Sequence, residues 1–134
     1  MTTATTTEYV TIDGLKLSVK IAGKGRPFLF LHGLCGDALQ PLELFPDDAG
    51  WQCHALESRG HGGSDIGDMK ELSIRRLAED ATAYLESLDR GPAVIGGVSM
   101  GAAIALRLTA DRPELAAGLV PVSYTHLTLP TRLP

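Results

Sequence analysis

The sequence predicts an α/β fold: a mostly parallel sheet with an antiparallel hairpin at its N-terminal end and helices on its flanks. Three observations carry this expectation. Short, wholly apolar runs such as Phe28–Leu31 and the strand-like run Pro92–Val98 mark strands buried on both faces, as parallel sheets require. Between them, Ser73–Leu88 carries apolar residues at helical spacing. At the N-terminal end, Asp13-Gly14 separates two stretches rich in β-branched residues, which is a hairpin signal.

Along the chain, Thr2–Thr7 is polar and nearly one residue type, and is expected to be a disordered lead-in spanning 1–7. Glu8–Ile12 and Leu15–Ala22 are the hairpin strands, and Gly23–Pro27 is a second turn. The Phe28–Leu31 strand ends in the loop His32-Gly33-Leu34-Cys35-Gly36. A short helix is expected over Asp37–Phe45, with Pro41 near its first turn. Trp51–Leu56 reads as a strand and Ser58–Asp68 as a Gly-rich loop. Ser73 suits a helix N-cap, with Arg76 rather than a capping-box Glu three residues on. The stripe is Ile74, Leu77, Ala78, Ala81, Leu85 and Leu88, with Glu79, Asp80 and Glu86 off it. After the Pro92–Val98 strand, Met100–Thr109 is helical and Asp111-Arg112-Pro113 stops it. Leu115–Val120 begins one more buried strand.

The bulk numbers exclude several classes. A chain of 134 residues holds one domain, and 44% hydrophobic with 21% charged residues is ordinary globular composition. A net charge of −4 leaves no basic surface for nucleic acid. No apolar run approaches the ~20 residues that span a bilayer. MTTATTTEY lacks the basic and apolar regions of a signal peptide. Cys35 and Cys53 lack metal-ligand spacing and read as buried free thiols of a reducing compartment. The expectation is a cytoplasmic protein with no metal or cofactor, no nucleic-acid or membrane partner, and a small acyl compound as substrate.

Chemistry concentrates at Gly97-Val98-Ser99-Met100-Gly101, a G-x-S-x-G sequence between a predicted strand and a predicted helix. This is the setting of a nucleophile elbow, a strained turn that lifts the serine oxygen above a sheet. Side chains in place of Gly97 and Gly101 would collide with the strand or the helix. The N–H groups at the helix start would face a developing oxyanion. Two rival glycine motifs fail. No register over Gly96–Gly101 supplies G-x-G-x-x-G, and Ala102-Ala103 stand where a phosphate-binding loop needs Lys and Ser or Thr. The motif alone leaves two readings: a nucleophile, or a tight turn with an incidental serine.

Three features in order resemble the α/β-hydrolase superfamily: FLFLHGLCG, LESRGHGGSD and GGVSMGAAIALRLTADRPELAAGLV. The Ser-Met-Gly elbow is similar to the branch with small esterases, lactonases and cofactor-free haloperoxidases. The resemblance implies Ser99 as nucleophile, the backbone N–H groups of Leu34 and Met100 as oxyanion donors, and His32 with Gly33 as support for the oxyanion loop. Cys35 would line the pocket, Arg59 and His61 would brace their loop through hydrogen bonds and a salt bridge, and Asp65 and Asp68 would cap or solvate it. Where the family's loop opens with Asp, this chain has Glu57, a longer carboxylate that shifts the local bonding.

The family's order is Ser, then Asp or Glu, then His. Beyond Gly101 the acids are Asp111 and Glu114, at the end of the elbow helix rather than after a later strand, and the histidine is His126. His126 lies in Val122–Thr131, VSYTHLTLPT, which resembles translated sequencing-adapter DNA. The expectation is therefore an incomplete α/β-hydrolase fold over 8–121 with a non-native tail at 122–134, lacking the catalytic acid and histidine. As written it would be aggregation-prone and without triad turnover. The function expected of the family is hydrolysis of an ester, lactone or thioester through an acyl-enzyme at Ser99. The alternatives are a haloperoxidase or acyltransferase using the same serine, and a hydrolase-fold protein that only binds.

Overall fold

The computed structural model describes residues 5–33 and 50–122. Strands β1 (Thr5–Ile12) and β2 (Leu15–Gly23) form the expected hairpin, in register from Ile12 opposite Leu15 to Thr5 opposite Ala22. Asp13 and Gly14 carry the consecutive positive φ angles, 52° and 78°, that a two-residue turn of matching twist requires. Thr5–Thr7, expected in the lead-in, belong to β1 and pair with Ala22, Ile21 and Lys20. The β-branched threonine side chain suits extended pairing, so the strand begins earlier than its polarity implied.

The remaining elements are β3 (Arg26–Leu31), β4 (Trp51–Leu56), α1 (Ile74–Leu88), β5 (Ala93–Val98), α2 (Met100–Asp111) and β6 (Ala116–Val122), with 3-10 turns at Met69–Glu71 and Pro113–Leu115. The sheet order is β1-β2-β4-β3-β5-β6. β2 is antiparallel to β4, and β4, β3, β5 and β6 run parallel to one another. The helix expected over Asp37–Phe45 lies outside the described residues.

Alternation along β3 sorts its side chains. Leu29 and Leu31 are buried with Leu17, Val19 and Ile95 of the sheet, Leu77, Ala81 and Leu85 of α1, and Ile104, Ala105 and Leu108 of α2. Each such Leu or Ile contributes roughly 1.5–3 kcal/mol by leaving water. Phe28 and Phe30 point the other way, toward Ala22, Cys53 and Ala55, and are half-buried rather than buried as expected. β6 also departs from the expected buried strand. Val120 is 48% exposed, because among the described residues β6 has a neighbouring strand, β5, on one side only. β6 continues to Val122, opposite Val98.

At the start of α1 the Ser73 hydroxyl accepts the Arg76 N–H at 3.0 Å, the capping predicted from sequence. Asp89, left-handed at φ 52°, ends the helix. A buried polar chain ties α1 to β4. The Tyr84 hydroxyl donates to His54 Nδ1 at 2.7 Å, and His54 Nε2–H donates to Gln52 Oε1 at 2.9 Å. Arg90 donates to the same oxygen at 2.6 Å. An amide oxygen only accepts, so Nε2 holds a proton, and with a pKa lowered to about 4 the ring is neutral at pH 7 with Nδ1 as the acceptor.

Burial, reinforced by the Arg90 charge, lowers the His54 pKa from 6.5 to about 4. The unfolded chain therefore takes up this proton below about pH 6.5 while the folded chain resists until about pH 4, so stability falls as pH drops through that window. The loss expected from this residue is on the order of 2–3 kcal/mol. Urea midpoints measured from pH 7 to pH 4 should show it. His54→Asn, which keeps an acceptor for the Tyr84 hydroxyl, should flatten the decline.

Candidate active site

The adjacency β4-β3-β5 brings the carboxyl ends of three parallel strands side by side, where open α/β sheets carry their ligand sites. From them emerge the His32-Gly33 loop after β3, the Glu57–Asp68 loop after β4, and the Ser99 turn after β5.

Ser99 stands at the N-cap of α2 with φ 57° and ψ −114°. Asp13 and Asp89 are the other non-glycine residues of positive φ among those described, and aspartate tolerates such turns better than serine does. The strain at Ser99 costs on the order of 1–3 kcal/mol. Its hydroxyl makes no capping bond, in contrast to Ser73 in the same position on α1. The Ser99 side chain is instead exposed at a helix start, where the first backbone N–H groups have no partner within the helix.

The two flanking glycines are imposed by backbone contact. A Cβ at Gly97 would lie 2.2 Å from the Gly101 carbonyl oxygen, and a Cβ at Gly101 would lie 1.8 Å from the Leu31 carbonyl oxygen. The end of β3 is thus pressed against the first turn of α2. On the same side, a Cβ at Gly33 would stand 3.2 Å from the Val98 carbonyl oxygen and 3.5 Å from the Ser99 Cβ. Gly33 packs directly beside the serine.

His32 is buried, and both ring nitrogens are engaged. Nε2 accepts the Ser58 N–H at 3.1 Å, so the proton is on Nδ1, which donates to the Gly33 carbonyl at 2.6 Å. The His61 ring lies 4.9 Å from the His32 ring, and its Nδ1 donates to the Arg59 carbonyl at 3.1 Å. Arg59 Nε and Nη2 donate to the two carboxylate oxygens of Asp80, each at 2.8 Å, with both side chains 2% exposed. Glu57, also buried, accepts the Gly63 N–H at 3.0 Å. Its carboxylate lies where a Cβ of Gly62 would be, and Gly62 has φ +54°. Asp65 accepts the Lys16 N–H at 2.9 Å, and Asp68 caps the 3-10 turn through the Lys70 N–H.

The acids after Ser99 do not reach it. Asp111 pairs with Arg107 in the last turn of α2, and Glu114 pairs with Arg112 just past it. Eleven rises separate Met100 from Asp111, or about 16 Å of helix. Cys53 is an inert position, because burial pushes its thiol up to about 12. Leu34, Cys35 and His126 lie outside the described residues. Among the described residues no group of side chains could hold a metal ion, and no helix is long and apolar enough to cross a membrane.

Two features escaped the sequence reading. Asp80, expected off the buried stripe of α1, is buried because Arg59 meets it. Tyr84 is absent from the predicted stripe and His54 falls within a predicted strand with no role, yet they bond to each other inside the core. Tyr84 stands three residues after Ala81 and four before Leu88, so helical spacing does place it on the stripe; neither spacing nor polarity names the partner of Tyr84 or of Asp80.

The model of the alpha/beta hydrolase fold family matches residues 26–131. The chain belongs to the α/β-hydrolase family. It is 30% identical over 118 residues to the 2-(acetamidomethylene)succinate hydrolase of Mesorhizobium japonicum, a match covering 87% of this chain and 42% of that protein. It is 36% identical over 94 residues to the non-heme chloroperoxidase CPO-A1 of Kitasatospora aureofaciens, covering 68% and 34% respectively. Among solved structures, Est816, an N-acyl homoserine lactone degrading enzyme, superposes with a TM-score of 0.77 at 31% identity, covering 87% of this chain and 45% of that one. This α/β-hydrolase chain thus spans about two fifths of the length of these relatives.

Gly101→Ala tests the backbone contact at the turn. With an oxygen at 1.8 Å from the new methyl group, the cost should reach or exceed the ~3 kcal/mol upper end of ordinary overpacking. Gly118→Ala, where the nearest atom is 3.5 Å away, should be tolerated. Urea denaturation of the two variants makes the comparison.

Proposed function

We propose that Ser99 is the nucleophile of a serine hydrolase acting on a carboxylic ester, lactone or thioester. The observation that carries this reading is the uncapped N-cap serine. A serine that held α2 in place would bond its backbone as Ser73 does; Ser99 is held in a strained conformation with its hydroxyl exposed.

In this reading Ser99 Oγ attacks the acyl carbon and its proton passes to a general base. The carbonyl oxygen, now negative, is received by the N–H of Met100 at the start of α2 and by the N–H of Leu34. Collapse of the tetrahedral adduct expels the alcohol or thiol and leaves an acyl-serine, which water then hydrolyses. His32 is excluded as the base by its two bonds within the loop, and Asp111 and Glu114 by distance. The reading calls for a base and its orienting acid later in the protein, in the Ser-acid-His order of the family.

The similarity to a chloroperoxidase favours a second reading. There the same acyl-serine is formed and hydrogen peroxide, in place of water, receives the acyl group as a peracid. Both readings need Ser99, so one experiment tests their common ground. In the protein carried through the length of its relatives, a fluorophosphonate probe should label the wild type and leave Ser99→Ala unlabelled, with ester turnover down at least about 10³-fold. Labelling that persists in Ser99→Ala overturns the assignment. A fully folded wild type that takes up no probe favours a protein that only binds.

A further inference from the structure

We propose that Asp80 is a positioning residue for the reaction at Ser99, acting through Arg59, the Ser58 N–H and His32 on the Gly33 turn. The inference rests on the reading of Ser99 as nucleophile. Asp80 is on α1 and touches none of the groups assigned to the chemistry. It does hold Arg59 in a two-pronged bond, with both side chains 2% exposed. Arg59 directly follows Ser58, whose N–H donates to His32 Nε2. That bond forces the His32 proton onto Nδ1, where it holds the Gly33 carbonyl at 2.6 Å. Gly33 in turn packs on Val98 and Ser99. His61, bonded to the Arg59 carbonyl and lying against the His32 ring, braces the same path from the side.

The arrangement is more specific than loop anchoring requires. Packing alone would hold the loop near the sheet. A fixed fork between guanidinium and carboxylate also fixes the direction of the neighbouring peptide, and so the tautomer of the histidine that reads it. Arg76 lies on the other side of Asp80, its Nε 3.9 Å from Oδ1, and is shared with Asp13, Glu71 and Glu79. Its other partners, Asp13, Glu71 and Glu79, are not among the groups on the path to His32, and it serves as the control.

The test uses the protein carried through the length of its relatives, with an aryl ester as substrate and 15N-labelled histidine. The wild type should show His32 in the Nδ1–H form; an Nε2–H form overturns the proposal at once. Asp80→Asn should lower kcat by about 10–100-fold with KM within about threefold, and should mix the two tautomers. Because Asp80→Asn leaves Arg59 buried without its partner and endangers folding, the paired change Arg59→Met with Asp80→Leu is measured beside it. That pair should recover the melting temperature but not kcat or the single tautomer. Arg76→Gln should leave both unchanged. If the folded R59M/D80L double variant keeps kcat within about twofold of wild type, with His32 still Nδ1–H, the proposal is overturned. If instead Ser99→Ala keeps its fluorophosphonate labelling, the nucleophile reading fails, while the tautomer measurements still decide whether Asp80 governs His32.

Discussion

The structure depends on one contact that contains no side chain: the first turn of α2 set against the carbonyl end of β3. Gly101 leaves room for the Leu31 oxygen, and Gly97 leaves room for Gly101. Because the backbones meet this closely, the residue between strand and helix has to turn sharply, and Ser99 takes a positive φ. The same closeness brings Gly33 beside Ser99. The strain in the turn is small against the burial around it, since Ile104, Ala105 and Leu108 of α2 are fully enclosed.

A second level of organisation is polar and buried. α1 is fastened to β4 and its following loop at two points: Tyr84 bonds to His54 within the strand, and Asp80 bonds to Arg59 beyond its end. A buried ion pair adds little net stability over apolar side chains of the same volume. Its contribution is direction, because a planar fork accepts one orientation where a leucine would accept several. These two ties stand one helical turn apart on α1, so together they resist both sliding and tilting of the helix against the strand whose loop meets His32.

Much of this was legible in the sequence where the cause is local. The hairpin followed from Asp13-Gly14, the N-cap of α1 from Ser73, and the steric need for Gly97 and Gly101 from the motif they frame. What escaped had its cause far along the chain. Asp80 is polar and off the stripe, and only the folded loop supplies the arginine that buries it. Thr5–Thr7 look like a tail until Lys20–Ala22 lie opposite them. Phe28, Phe30 and Val120 read as core from hydrophobicity, but their exposure depends on what stands next to the sheet. The antiparallel seam between β2 and β4 likewise comes from strand placement, which apolar runs do not encode.

The seat of Gly101 has a consequence for how the chain reaches its native state. The carbonyl it meets belongs to Leu31, on a strand made long before it in the chain, and β4 and α1 intervene between them. Contacts of such sequence separation form after the chain has already lost the entropy of closing a long loop. Local elements such as α1 and the β1–β2 hairpin have no such requirement. The elbow should therefore be among the last features to take shape, appearing together with the β3–β5 pairing rather than before it. Partly folded forms would then hold an ordinary, unstrained serine, and the strained conformation would arise only with the completed sheet.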